Sequence, residues 1–307
     1  MRDSLIIYKE GSTYIANYIG GLFVYQFRKL FETSGIMARN CVVEQNGRHF
    51  VFGNDDIVVH DANTVRSLLD KRTRQAIFGS IDQQNFRSSY VISYEKKREI
   101  WFCFPSAGNP FPNFAAVFNL DEDAWGIREL YATPHGSVGV VSAESADDSW
   151  DVDSQSWDAD QTNWLQQGFS LQSQSLVLAD TNETVATDSR LIQVDTGTDF
   201  AGQPITSVLQ KSYMSFDAPN RVKIVKRIWP KIVANDGVSL TFRVGGSEGP
   251  DSPIEWSNPV TIVKGTDDER IDTFAQGRYI SFEASSSGGI AWTLTGFDLE
   301  VEPRGYF

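Results

Sequence analysis

The sequence has 307 residues, 41% of them hydrophobic and 22% charged, which is typical of a folded chain with a sizeable buried core. No apolar run reaches the ~18 residues of a membrane span, and the residues after Met1 lack the apolar stretch of a secretion signal, so neither a transmembrane nor a Sec-secreted protein is expected. Two cysteines exclude a disulfide scaffold, and a net charge of −13 argues against sequence-specific DNA binding, which needs clustered Lys and Arg.

Short apolar segments alternate with turn signals over the first 60 residues. Leu5–Tyr8 and Thr13–Ile19 flank a turn at Gly11, which predicts a hairpin rich in β-branched and aromatic residues. The pair Asn46-Gly47 between apolar alternations is the strongest short hairpin signal. The sequence therefore predicts short antiparallel strands in this region.

One helix is predicted, from about Thr64 to Phe78. Asp61 or Asn63 is expected to cap its start and Gly79 to end it. The region also holds the densest basic cluster of the chain, formed by Arg66, Lys71, Arg72 and Arg74. This cluster has two interpretations: the solvated face of a helix, or a subunit interface that meets an acidic neighbour.

Residues 90–130 predict a four-stranded meander, the size of one β-propeller blade. Earlier hairpins have a similar rhythm, which favours a propeller over a sandwich. From about residue 203 the candidate strands form a separate β unit punctuated by Gly-Gly and Gly-Pro pairs, which predicts a small antiparallel sandwich. We expect an all-β protein with one short helix, divided into a propeller-like domain at 1–202 and a β domain at 203–307.

An acidic stretch lies within the predicted propeller-like domain. Residues 129–189 hold 11 carboxylates and no Lys or Arg, so they carry most of the excess charge. Around 144–164 the chain repeats Ser-Trp-Asp with a period of seven, which indicates an extended acidic loop rather than a coiled coil, because each heptad has one apolar position. The aspartates proposed for this acidic surface are Asp147, Asp148, Asp151, Asp153, Asp158 and Asp160. Calcium binding by four of them is an open alternative, although the spacing is not that of an EF-hand.

Residue types that carry chemistry are sparse and dispersed. His49 and His60 lie in predicted strands and are interpreted as hydrogen-bonded structural residues, and the same holds for His135. Cys41 and Cys103 fit small buried hydrophobes. No nucleophile elbow, phosphate-binding loop or dinucleotide fingerprint is present in the sequence, so we predict no catalytic residues, cofactor or metal ligand set.

Several phrases together resemble the tail tubular (nozzle) proteins of short-tailed bacteriophages, the podoviruses. They are Ser4–Glu10, Tyr18–Gly21, Phe27–Phe31, His49–Val51, Asp56–Asp61, Asp70–Arg72, Trp125–Arg128, the Ser-Trp-Asp repeat and Trp292–Val301. The likeness runs over most of the chain as a set of phrases rather than one diagnostic motif.

The resemblance implies a structural, non-enzymatic, propeller-bearing subunit of the virion, made in the host cytoplasm. Six copies would form a ring below the tail adaptor, contact a fibre or spike, and let DNA pass during ejection without binding it specifically. Relatives carry a portion before the segment matching Arg2-Asp3-Ser4, so the resemblance leaves open the blade count and whether another chain completes the propeller. We further hypothesise that at least part of the acidic stretch faces the channel, since an acidic wall repels DNA.

Two other functions fit parts of the sequence. Eight tryptophans and ten tyrosines are compatible with a glycan-binding protein used for host attachment, although aromatic residues at β spacing also fill cores. A glycan-cleaving propeller enzyme is the weaker alternative, because acidic residues occur throughout the chain and a carboxylate pair is not informative.

Overall fold

The computed structural model describes residues 4–21, 23–140, 174–181, 189–197, 199–200, 203–267 and 270–305. Of these residues 56% lie in strands and 6% in helices, with one α-helix and several antiparallel sheets, none of them closed. The fold is therefore all-β with one short helix, as the sequence predicts. Within the described ranges, no helix has the length and apolar character needed to cross a membrane.

The chain divides into two compact units, residues 1–195 and 196–307. The boundary expected from the sequence, between 202 and 203, falls inside the second unit. In the described part of the first unit, every strand of each sheet pairs with the next strand along the chain. Sheet 1 contains β1 (Ser4–Tyr8), β2 (Thr13–Tyr18) and β3 (Tyr25–Phe31), and sheet 2 contains β4 (Val42–Gln45), β5 (Arg48–Phe52), β6 (Ile57–His60) and β7 (Val65–Ser67). Sheet 3 contains β8 (Tyr90–Tyr94), β9 (Glu99–Phe104), β10 (Phe114–Asn119) and β11 (Ala124–Glu129), and sheet 4 contains β12 (His135–Val140), β13 (Gln174–Thr181) and β14 (Ser189–Gln193).

Two sequence predictions about these sheets are confirmed. The turn between β4 and β5 has positive φ at Asn46 (54°) and at Gly47 (76°), the conformation that a two-residue hairpin requires. Sheet 3 is the predicted meander, with strands in the order β11-β10-β9-β8. Both turn chemistry and apolar alternation are local properties, so they are readable without knowledge of the tertiary contacts.

The predicted helix is wrong at its start. The helix α1 spans Lys71–Ser80, and its N-cap is Asp70, whose carboxylate accepts a hydrogen bond from the Thr73 amide (2.9 Å). Residues 65–67 form β7 instead, because they complete the edge of sheet 2. Gly79 lies inside the last turn rather than after it. Two one-turn 3-10 helices, Phe86–Ser88 and Glu95–Lys97, flank β8.

The core of the first unit lies between sheets 2 and 3. Phe52 packs edge-on against Phe102 and Phe104, and α1 adds Ile77 and Phe78 to the same cluster. The first strands of sheets 2, 3 and 4 lie next to each other, with β8 between β4 and β12. This is the relation that first strands of neighbouring blades have in a propeller.

The second unit is a two-sheet sandwich. One sheet contains β17 (Ser207–Met214), β19 (Ser239–Ser247), β20 (Glu255–Trp256), β21 (Val260–Val263) and β23 (Tyr279–Ser286). The other contains β18 (Lys223–Ala234), β22 (Ile271–Gly277) and β24 (Trp292–Pro303). A separate pair of two-residue strands, β15 (Asp199–Phe200) and β16 (Gln203–Pro204), precedes both sheets in the chain. Residues of both sheets share one core, in which Phe282 lies between Phe242 and Phe297.

Two glycines allow β19 and β22 to cross at backbone contact. A Cβ atom on Gly246 would overlap the carbonyl group of Gln276, and one on Gly277 would lie 2.5 Å from the Ser247 amide nitrogen. Nearby, the buried Lys223 ammonium donates to the carbonyl oxygens of Ala218 (2.7 Å) and Arg278 (2.6 Å). The crossing and the lysine together fix this corner of the sandwich.

Candidate functional site

A buried cluster of titratable side chains in the described part of the first unit lies between sheets 1 and 2. The Tyr8 hydroxyl is 2.7 Å from His49 Nδ1 and 2.7 Å from His60 Nε2. The two histidines face each other across the β5–β6 pair, with ring centroids 5.2 Å apart, and Phe31 packs edge-on against His60. The cluster thus connects β1 to β5 and β6.

The hydrogen bonds of this cluster have a definite direction. The Ala62 amide donates to His60 Nδ1 (3.3 Å), so in neutral His60 the proton is on Nε2. Tyr8 accepts that proton in a hydrogen bond and donates its own to His49 Nδ1. The order is therefore His60 to Tyr8 to His49, with all three groups neutral.

Burial disfavours charge at this cluster. It lowers the pKa of His60 to about 4, with a further contribution from His49, while Asp61 opposes the shift. Burial also lowers the pKa of His49, opposed by Glu44, and raises the pKa of Tyr8. These three neutral side chains, with their hydrogen bonds in a fixed direction, position sheet 1 on sheet 2.

In the described ranges, no group of three or more His, Cys, Asp or Glu side chains is arranged to hold a metal ion.

Sequence reasoning identified the histidines but not their partner. His49 and His60 were expected to be hydrogen-bonded strand residues, and the structure shows them so. Tyr8 lies 41 residues from His49 and 52 from His60 in sequence, and no local signal links them. His135 is exposed and its ring lies 5.6 Å from that of Tyr90.

The predicted basic cluster is divided by the fold. Arg66 lies in β7, whereas Lys71 and Arg72 begin α1, and all three are exposed. Arg74 is half-buried: its Nη2 lies 2.8 Å from Asp56 Oδ2 and 3.1 Å from Ser67 Oγ. It therefore connects α1 to sheet 2. Its guanidinium group is held by these two contacts within the subunit.

This division predicts different outcomes for charge reversal within the cluster. Arg74→Glu is expected to lower the free energy of unfolding by about 2 kcal/mol, because it places a carboxylate beside Asp56. The double variant Arg66→Glu, Lys71→Glu is expected to change it by less than about 0.5 kcal/mol, since the Arg66–Asp123 pair is exposed and 3.9 Å apart. Urea unfolding followed by circular dichroism measures both values. Equal losses would contradict the role of Arg74 as a contact between α1 and sheet 2.

The remaining predictions concern the acidic loop and the two cysteines. The six acidic-loop aspartates, with the whole of 144–164, lie outside the described residues. Cys41 and Cys103 are buried free thiols, and burial raises the pKa of each to about 12, so neither is a thiolate at neutral pH.

The tryptophans bear on the glycan-binding alternative. Trp101 is fully buried, and Trp125, Trp256 and Trp292 are half-buried. Trp229, on the outer face of β18, is the one exposed tryptophan in the described ranges. Most of the described indoles therefore fill cores or cover sheet edges rather than form a platform for sugars.

No protein-family model matches this chain, and a search of curated protein sequences finds no match.

Proposed function

We propose that this chain is a structural subunit of the tail of a short-tailed phage, working as one member of a ring through which DNA leaves the particle. In this proposal the ring has six copies, lies below the tail adaptor and contacts a fibre or spike. The chain supplies walls and contacts rather than catalysis.

The observation that carries the proposal is the series of sheets in the first unit. Sheets 2 and 3 are four-stranded meanders of blade size, and the first strands of sheets 2, 3 and 4 are neighbours. Such a series suits a wall built from repeated, locally paired units.

The phrases that resemble nozzle proteins add a second support. They coincide with elements of the framework: Ser4–Glu10 contains β1, Asp56–Asp61 contains β6, Asp70–Arg72 begins α1, and Trp292–Val301 lies in β24. The likeness therefore follows strands and a helix cap rather than exposed turns alone.

The charge distribution supports passage of DNA without binding. Six copies at −13 would carry roughly −78 around one axis, and repulsion by an acidic wall prevents adhesion. We place the stretch 129–189 on the channel side in this proposal. A structure of the assembled tail with that stretch on the outer wall would refute this part.

Immunogold electron microscopy tests the proposal directly. Particles from a lysate of the source are labelled with an antibody raised against the purified chain. Gold at the tip of a short tail is the expected result. Gold absent from every particle, while the same antibody detects the chain in the lysate, would overturn the proposal.

A further inference from the structure

The exposed apolar side chains of the first unit are concentrated on sheet 1. Phe23 is 76% exposed, Tyr18 67% and Phe27 63%, in a molecule whose other sheets bury most of their aromatic residues. Among the described residues of this sheet and its β2–β3 turn, the exposed large apolar side chains are Leu5, Tyr18, Ile19, Phe23, Val24, Tyr25 and Phe27. An apolar surface of this density marks an interaction site.

The apolar side chains share one face of the sheet and its free end. The strand register pairs Leu5 with Ala16 and Ala16 with Phe27, so Leu5 and Phe27 share a face, and Tyr18 and Tyr25 lie on that face as well. The opposite face carries Tyr8, which binds the histidines of sheet 2. The apolar face is thus directed away from sheet 2.

The other end of sheet 1 is held firmly. The Lys9 carbonyl accepts from the Ile36 amide (3.0 Å), the Glu10 carbonyl accepts from Asn54 Nδ2 (2.9 Å), and the Thr13 hydroxyl donates to the Ser34 carbonyl (2.6 Å). The turn 19–24 lies at the opposite end of β2 and β3, where Ile19 N bonds Val24 O within the hairpin itself (3.1 Å). The hairpin is therefore anchored at its base and presents its aromatic turn.

The charged side chains within the hairpin itself are cations. Residues 11–31 contain six aromatic residues and two cations, Arg28 and Lys29, but no carboxylate, in a chain that has 40 acidic residues. Both cations are exposed on β3, Lys29 on the apolar face and Arg28 on the opposite face. Lys9 lies 4.5 Å from the Tyr14 ring, and Glu32, just after β3, is 3.5 Å from Lys29. Aromatic side chains with adjacent Lys and Arg match an anionic bilayer surface, where the rings enter the headgroup region and the cations meet phosphates.

We propose that the β2–β3 hairpin docks on the surface of an anionic lipid bilayer, with the turn 19–24 entering the headgroup layer and Arg28 and Lys29 on lipid phosphates. A bilayer accounts for the end-on exposure of the turn, which stacking on a flat protein sheet would leave uncovered. It also accounts for the absence of carboxylates from residues 11–31. A carboxylate there would lie within a Debye length of the lipid phosphates and would be repelled by them. The proposal does not depend on the phage assignment.

Co-sedimentation of the full chain with vesicles tests the proposal. The vesicles are phosphatidylcholine with about one third phosphatidylglycerol, or phosphatidylcholine alone. The double variant Phe23→Ser, Tyr25→Ser is expected to lower the partition coefficient on anionic vesicles by about tenfold or more. The matched control, Val233→Ser with Phe274→Ser, removes equally exposed apolar groups (63% each) from the second unit and is expected to leave binding unchanged.

A charge variant separates docking from loss of structure. Arg28→Gln with Lys29→Gln is expected to weaken binding to anionic vesicles by about fivefold per residue and to leave binding to neutral vesicles unchanged. Wild-type protein that stays in the supernatant, or equal binding by the hairpin variant and its control, would overturn the proposal. Light scattering without lipid identifies a second copy as the occupant if wild type is oligomeric and the hairpin variant monomeric, and that result would also overturn it. None of these results alters the gold-labelling test.

Discussion

Replacing Gly246 by alanine is expected to cost the second unit about 3 kcal/mol or more of its free energy of unfolding. The added Cβ atom would overlap the backbone of Gln276, and the obstacle is a carbonyl group rather than the flexible end of a side chain. Because Gly277 makes the reciprocal approach to Ser247, neither strand has room to move aside. Relief requires separating β19 from β22, which opens the core that both strands cover.

Gly296→Ala is the matched control for this substitution. Gly296 also lies in a strand of the second unit, but a Cβ atom there would meet only Lys231 Cδ at 3.9 Å, an ordinary contact. Urea unfolding, with amide exchange measured on peptides from β19 and β22, distinguishes the variants. A loss below about 1 kcal/mol for Gly246→Ala would show that the crossing relaxes easily.

Acidification is expected to weaken the attachment of sheet 1 to sheet 2. The unfolded chain takes up a proton on His60 near its ordinary pKa of 6.5, whereas the folded chain does so only near pH 4. Stability therefore falls as the pH drops from about 6.5 toward 4, by about 2–3 kcal/mol over this interval. Protonation of His49 acts in the same direction, because it removes the acceptor of the Tyr8 hydroxyl hydrogen bond.

His60→Gln isolates the histidine contribution from that of the carboxylates, which also titrate in acid. The variant is expected to show a shallower loss of stability between pH 7 and about pH 4.5 than wild type. His135→Gln, which changes a histidine outside the cluster, is the matched control. Urea unfolding at a series of pH values, followed by amide exchange of β5 and β6 peptides, gives the three slopes. Identical slopes for all three proteins would contradict the prediction.

Local patterns in the sequence were sufficient for most of the fold. The hairpin at Asn46-Gly47 and the meander of residues 90–130 depend on turn chemistry and apolar alternation, and both are confirmed. The predicted start of the helix was wrong because the apolar residues Val65 and Leu68 fit a helical stripe as well as they fit an edge strand and the residue that follows it. Only the pairing of β7 with β6 decides between them.

The candidate site was less accessible to sequence reasoning. A histidine in a strand predicts a hydrogen bond but not its partner, and Tyr8 reaches His49 and His60 only because sheet 1 lies on sheet 2. The same limit applies to Arg74. Its neighbours in sequence indicate a solvated basic face, and they give no sign of its contact with Asp56, 18 residues away.

The pairing order of the strands has a consequence for synthesis on the ribosome. In the described part of the first unit, the strands of each sheet are consecutive in the chain, so each sheet completes soon after its last strand emerges. In the second unit β18 pairs along its length with β24, which begins nearly 60 residues after β18 ends, so the smaller sheet waits for the last strand. We therefore expect the first unit to be formed while the second still exposes the unpaired edge of β18, and this interval is the one in which nascent chains most need protection from aggregation.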